Sequence, residues 1–98
     1  MAETIRKELN AEATAGRFVL STPEGEAEIT FTLPRAGVLS ANHTGVPDAM
    51  GGRGIALQLV EALVADARAE GYKIIPRCPY VNAQRKRHPE WAELFIEA

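Results

Sequence analysis

The part of this sequence with the clearest chemical capacity is a run of glycines at the start of a helix. Val46-Pro47-Asp48-Ala49-Met50-Gly51-Gly52-Arg53-Gly54-Ile55-Ala56 joins a strand pattern to the strongest helix pattern in the chain. The first turn of a helix carries N–H groups with no acceptor inside the helix. A Ser, Thr, Asp or Asn side chain usually caps one of them. Gly51-Gly52-Arg53-Gly54 offers no such side chain at the immediate start. Three glycines leave the backbone open to close approach and permit positive φ. Free N–H groups and the helix dipole together make an anion site, and Arg53 adds donors matched to phosphate geometry. A tight turn without a ligand is the competing reading of so short a motif. Two nucleotide patterns are excluded. The Gly-Lys-Ser/Thr of a phosphate-binding P-loop is missing. Gly52-x-Gly54 is followed by Leu57 where the dinucleotide fingerprint needs its third glycine.

The elements that must position this loop follow from periodicity. Arg17 to Ser21 is rich in strand formers and stops at the turn Thr22-Pro23-Glu24-Gly25. Ala27, Ile29, Phe31 and Leu33 then alternate with Glu26, Glu28, Thr30 and Thr32, the pattern of a half-buried antiparallel strand. After Pro34-Arg35-Ala36-Gly37, the stretch Val38 to Val46 reads as another strand. Between Arg53 and Glu70 the period changes, with Ala56, Leu59, Val60, Leu63 and Ala67 on one helix face and Gly71 at the C-terminal cap. Lys73 to Cys78 is a short strand, and Pro89 opens a short final helix that turns Trp91, Leu94 and Phe95 to the core. Residues 1–16 stay open: Ile5 and Leu9 suit either a helix face or one face of a short first strand, or the segment is frayed. Ala11 to Gly16 reads as a turn. The order is strands, long helix, strand, short helix, an α+β layer structure within one domain over residues 1–98.

Composition sets the outer bounds. With 98 residues, 46% hydrophobic and 24% charged, the chain suits one small globular domain. A net charge of −2 argues against a nucleic-acid footprint over the whole surface. The cluster Arg85-Lys86-Arg87-His88 reads as a solvated face, or as a reach toward a phosphate or an acidic partner. One cysteine, Cys78, excludes an internal disulfide. The start Met-Ala-Glu-Thr-Ile-Arg has no apolar stretch, and no apolar run approaches the roughly 20 residues that cross a bilayer. The expectation is a cytoplasmic protein without membrane or nucleic-acid partners, present as a monomer or weak dimer.

His43-Thr44-Gly45-Val46-Pro47, the glycine loop, and Ile75-Pro76-x-Cys78 after the helix occur in that order. Together they resemble the Gcn5-related N-acetyltransferase superfamily, and most closely its small single-domain members, often called YjdJ-like. The resemblance covers roughly Arg17 to Phe95. Residues 51–56 lie over the superfamily's Arg/Gln-x-x-Gly-x-Gly/Ala motif, with Gly51 where that motif has Arg or Gln.

The resemblance implies a minimal fold of that superfamily: a mostly antiparallel sheet, a long central helix after the fourth strand, then a splayed strand and a short C-terminal helix. It implies acetyl-CoA as co-substrate, no metal, and transfer of acetyl to a small amine or a protein lysine. Thr44 and Val46 would offer backbone groups to the acetyl-pantetheine arm. Gly51, Gly52, Arg53, Gly54, Ile55 and Ala56 would hold the pyrophosphate, and Asn82 would contact the cofactor arm. Two side chains near the expected cleft suit the chemistry. Histidine is the side-chain type suited to accepting or donating a proton under physiological conditions, which His43 would do here; a structural histidine bonding nearby backbone is the competing reading. Cys78 can protonate the leaving thiolate or be acetylated transiently; plain packing is the competing reading for a lone cysteine. In longer members N-terminal helices shape the acceptor pocket, and the expectation is that residues 1–98 do not include them. A module that binds acetyl-CoA with little turnover, and a small interaction domain, therefore stand as alternatives.

Overall fold

A computed structural model of the chain describes residues 5–51 and 54–97. Expectations that fall on residues 1–4, on Gly52 and Arg53, and on Ala98 lie outside the described residues. Five strands form one sheet in sequential order: β1 (Ile5–Leu9), β2 (Ala15–Thr22), β3 (Gly25–Arg35), β4 (Val38–Gly45) and β5 (Lys73–Pro76). β1 to β4 run antiparallel, and β5 returns parallel to β4 after the helix α1 (Ile55–Glu70). The expected fold class and the place of the long helix after the fourth strand are as observed.

The alternation in β3 builds the core. Ala27, Ile29 and Phe31 are buried and meet Phe18 and Leu20 of β2. Leu59, Val60, Leu63, Val64 and Ala67 of α1 close over them. Ala56 is half-buried at the edge of that stripe, and Ile55 is buried. The other face of β2 and β3 carries Arg17, Glu26, Glu28, Thr30 and Thr32. Alternation thus puts the apolar core on one side of the sheet and mostly polar residues on the other, where Val19 is the buried apolar exception on β2.

Several boundaries differ from expectation. The N-terminal segment is a strand over Ile5–Leu9, paired along its length with Gly16–Leu20, and Leu9 stays 50% exposed at the edge. Ala15 and Gly16 belong to β2, so the turn is shorter than read. Helix α1 starts at Ile55, because Gly54 is left-handed (φ 68°, ψ 21°) and cannot continue a helix. β5 stops at Pro76, two residues short of Cys78. Between Cys78 and Pro89, where no element was expected, lies a second helix, α2 (Pro79–Arg87), with Pro79 in its first turn. Its sequence hid it: among nine residues only Val81 and Gln84 are buried, too few to show a helical period. Pro89–Leu94 is a 3-10 helix that buries Trp91 and Leu94, while Phe95 is half-buried and bridges Ile74. Among the described residues no helix is long and apolar enough to cross a membrane.

Candidate active site

The site begins where β4 and β5 part. Their pairing runs from Val38↔Lys73 to Ala41↔Pro76 and ends there. Pro76 has no N–H to extend it. Arg77 folds its N–H back to the Ile75 carbonyl at 3.0 Å, and the Cys78 N–H donates to the Ala41 carbonyl at 2.8 Å as the last link. Cys78 then caps α2, which carries the chain away. Asn42 to Gly45 of β4 run on without a β5 partner, leaving a wedge-shaped gap.

A bulge decides which groups face the gap. Phe31 pairs with Ala41 and Thr30 with His43, so Asn42 is a surplus residue. Ala41 directs its carbonyl toward β5. Plain alternation would next direct His43 there; the surplus residue shifts the pattern by one. By this alternation the main-chain groups of Thr44 and Val46 face the gap. The same shift places the Thr44 side chain with its partner Ile29 on the helix-covered face and His43 with Thr30 on the opposite face.

The structure therefore brings Thr44 and Cys78 together and keeps His43 apart from them. Thr44 Oγ1 lies 3.1 Å from Cys78 Sγ, and either can donate. Cys78 is only 3% exposed. His43 is exposed, and its ring leans over Gly45: a Cβ on Gly45 would stand 3.4 Å from His43 Nε2. Glycine leaves the imidazole room to lie along the strand beside the gap.

From Val46 the chain crosses to α1. Pro47 is extended (φ −58°, ψ 147°), and the 3-10 turn Asp48–Met50 plants Met50 in the core. Gly51 has ordinary extended geometry (φ −67°, ψ 158°). Gly54 alone among the described loop glycines needs its freedom, and it is exposed with open space where a Cβ would point. Among the described residues no side chain caps α1 and no acidic residue stands in its first turn, and its first backbone bond is Gln58 N–H to the Gly54 carbonyl at 3.1 Å. The N–H groups of Ile55, Ala56 and Leu57 precede that bond and have no acceptor within the helix. Ile55 offers only its main chain, since its side chain is in the core. These uncapped donors and the open β4 edge fit a diphosphate continued by an extended amide-bearing arm.

Asn82 stands one turn into α2. Its N–H donates to the Cys78 carbonyl at 2.9 Å, and its side-chain oxygen accepts from Arg85 Nε at 2.8 Å. With Arg85, Ile75 and Phe95 it lines a cleft of about 340 Å³ that includes neither Thr44 nor any glycine-loop residue. The basic cluster is the last turn of α2, where cations complement the helix dipole. His88 stacks on Trp91 with centroids 4.0 Å apart and bonds Glu90 at 2.9 Å, which holds the Glu90 carboxyl below the usual range.

A gap between parting parallel strands, beside an uncapped helix after the fourth strand, is the arrangement the sequence resemblance implied. A family model described as GCN5-related N-acetyl-transferase matches residues 17–94. The chain belongs to that family. The structure of this Gcn5-related N-acetyltransferase is similar to the solution structure of a GCN5-like protein from Staphylococcus aureus, proposed as an N-acetyltransferase, with a TM-score of 0.73. The two are 26% identical, over 100% of this chain and 93% of that one. No curated protein matches the chain. Family and fold together support acetyl transfer in general, with acetyl-CoA as the co-substrate usual to the family.

Sequence reasoning missed Thr30, directly across from His43 on β3, and Glu28, directly across from Gly45. The alternation of β3 put both on its polar face. Which β4 residues they oppose depends on the bulge, which nothing in the sequence announces.

Proposed function

We propose that this protein transfers acetyl from acetyl-CoA to a primary amine. The observation that carries this reading is the unpaired stretch of β4 beyond Ala41↔Pro76, lying beside the uncapped start of α1. The pyrophosphate rests on the N–H groups of Ile55, Ala56 and Leu57, flanked by the loop from Gly51 to Gly54. The pantetheine arm takes the place of a strand along Thr44 and Val46. An N–H of this edge polarises the thioester carbonyl as charge develops on its oxygen. Asn82 reaches the arm once its side chain leaves Arg85, which holds its oxygen in a neighbouring cleft.

The helix side of the gap is closed by Thr44 and Cys78, so the amine enters from the opposite face, past His43. His43 takes a proton from the incoming ammonium so that a neutral nitrogen attacks the carbonyl carbon. The C–N bond forms, the C–S bond breaks, and the Cys78 thiol gives its proton to the departing sulfur. Proton release from the acetylated nitrogen restores the thiol.

The test is release of free CoA thiol from acetyl-CoA in the presence of polyamines, lysine peptides and aryl amines, alongside calorimetric binding of CoA. Amine-dependent release that falls at least about 100-fold in His43→Ala and in Cys78→Ala, with CoA affinity kept, is the expected result. Tight binding without release would leave a coenzyme-binding module, and no binding would end the reading.

A further inference from the structure

The sheet face that carries His43 is an ordered ion lattice. One cross-strand row runs Glu8–Arg17–Thr30–His43, each residue directly opposite the next on β1, β2, β3 and β4. The neighbouring row places Glu28 opposite Gly45, over which the His43 ring leans. Arg17 binds Glu8 at 2.7 Å, Glu28 at 2.8 Å and Glu26 at 3.2 Å; Arg6 binds Glu8 at 3.1 Å and stands 3.6 Å from Glu26. Three carboxylates thus share two guanidinium groups, and the lattice carries one surplus negative charge. Its last carboxylate before the gap is that of Glu28, bonded to Arg17 on one side and directly across from Gly45 of β4 on the other.

We infer that this face is the acceptor site and that it selects an amine bearing a second positive charge, with Glu28 holding that second charge. The inference rests on the acetyl-transfer reading for its direction: an amine reaching the gap from this face must cross it. The nitrogen that attacks must first give up its ammonium proton, so it offers no lasting charge for an ion pair with a carboxylate. A second ammonium on the same molecule keeps its charge throughout and pairs with Glu28 while the first gives its proton to His43. From β3, where Glu28 sits, to the far side of β4 is about two strand spacings, roughly 10 Å. That spans a polyamine or an extended lysine-like chain. The face has the wrong chemistry for an aryl amine, since Thr30, Thr32, Asn42 and the ion lattice offer it little apolar surface.

Amide shifts in a titration with spermidine test this, read on the free protein and on the CoA-saturated protein. Expected shifts cluster at Glu28, Thr30, His43 and Gly45. Glu28→Gln weakens the apparent affinity about tenfold, as for the loss of one charge-assisted hydrogen bond. Glu8→Gln removes the same charge from the same lattice on β1, remote from the gap, and changes the affinity by less than about twofold. Neutral p-anisidine produces no shift at these residues. Equal weakening in the two variants would mean that only net charge is sensed and would overturn the site. So would an unaffected Glu28→Gln, or shifts that spare these four residues. The acetyl-transfer reading is checked separately by CoA alone, which must move the amides of Thr44, Val46 and Ile55–Leu57. Because spermidine is also titrated without CoA, failure of that check leaves the acceptor result decided on its own terms.

Discussion

Replacing Gly54 by Gln and, separately, by Glu isolates the electrostatic role of the α1 start. Both side chains meet the same backbone, with φ at 68°, and both enter open space, since nothing lies within 4 Å of a Cβ there. The steric and conformational costs are therefore shared: about 1 kcal/mol for a non-glycine residue in the left-handed region. In a domain of this size that lowers Tm by about 4–8 °C. The two variants differ by one charge. At about 5 Å, two unit charges repel by about 0.8 kcal/mol in water-like surroundings and about 3 kcal/mol at an effective dielectric near 20. Gly54 is exposed, so the low end applies to each pair. A diphosphate brings two charges, which gives about 1.5–2 kcal/mol, or about 10–30-fold in affinity. Calorimetric titration with CoA at two salt concentrations is the assay. Gln costs a few-fold, Glu costs a further 10–30-fold, and added salt narrows the difference. Equal affinities for the two variants at low salt would refute the assignment of the diphosphate to this helix start.

Further outcomes follow from other contacts. Thr44→Val keeps the side-chain shape and removes the hydroxyl that partners the Cys78 sulfur; kcat falls about tenfold while CoA affinity holds, measured by thiol release and calorimetry. Ala13 is the one described non-glycine residue with positive φ, at 55°, so Ala13→Gly raises stability by about 0.5–1 kcal/mol in urea melts. Hydrogen bonds from Arg17 to Glu8 and from Ser21 to Glu26 hold both carboxyls below their usual range. A depressed folded-state value stabilises the protein above the ordinary carboxylate range and loses that stabilisation as pH falls through the depressed value. Tm therefore drops on acidification, and Glu8→Gln with Glu26→Gln flattens that acid limb.

The sequence revealed what depends on period and little of what depends on register. Ala27, Ile29 and Phe31 declared the buried face of β3, and Leu59, Val60 and Leu63 that of α1, because burial imposes repeats of 2 and 3.6 on composition. The uncapped start of α1 was legible because caps are local. Helix α2 was not, since its contact with the core rests on Val81, Gln84 and the half-buried Tyr80, and a single turn of contact has no period. The partnership of Thr44 with Cys78 joins positions 34 residues apart and depends on a bulge at Asn42, so no local pattern could declare it. The row ending at His43 was hidden for the same reason.

Cys78 has all three of its groups committed: its N–H to Ala41, its carbonyl to Asn82, its sulfur to Thr44. It is also the only cysteine in the chain. With Cys78 only 3% exposed at the edge of the gap, a bulky thiol reagent reaches its sulfur when the end of the sheet and the start of α2 come unlatched together. Its labelling rate times that breathing motion without any engineered probe, and slower labelling with coenzyme present would measure how firmly the ligand holds the latch shut.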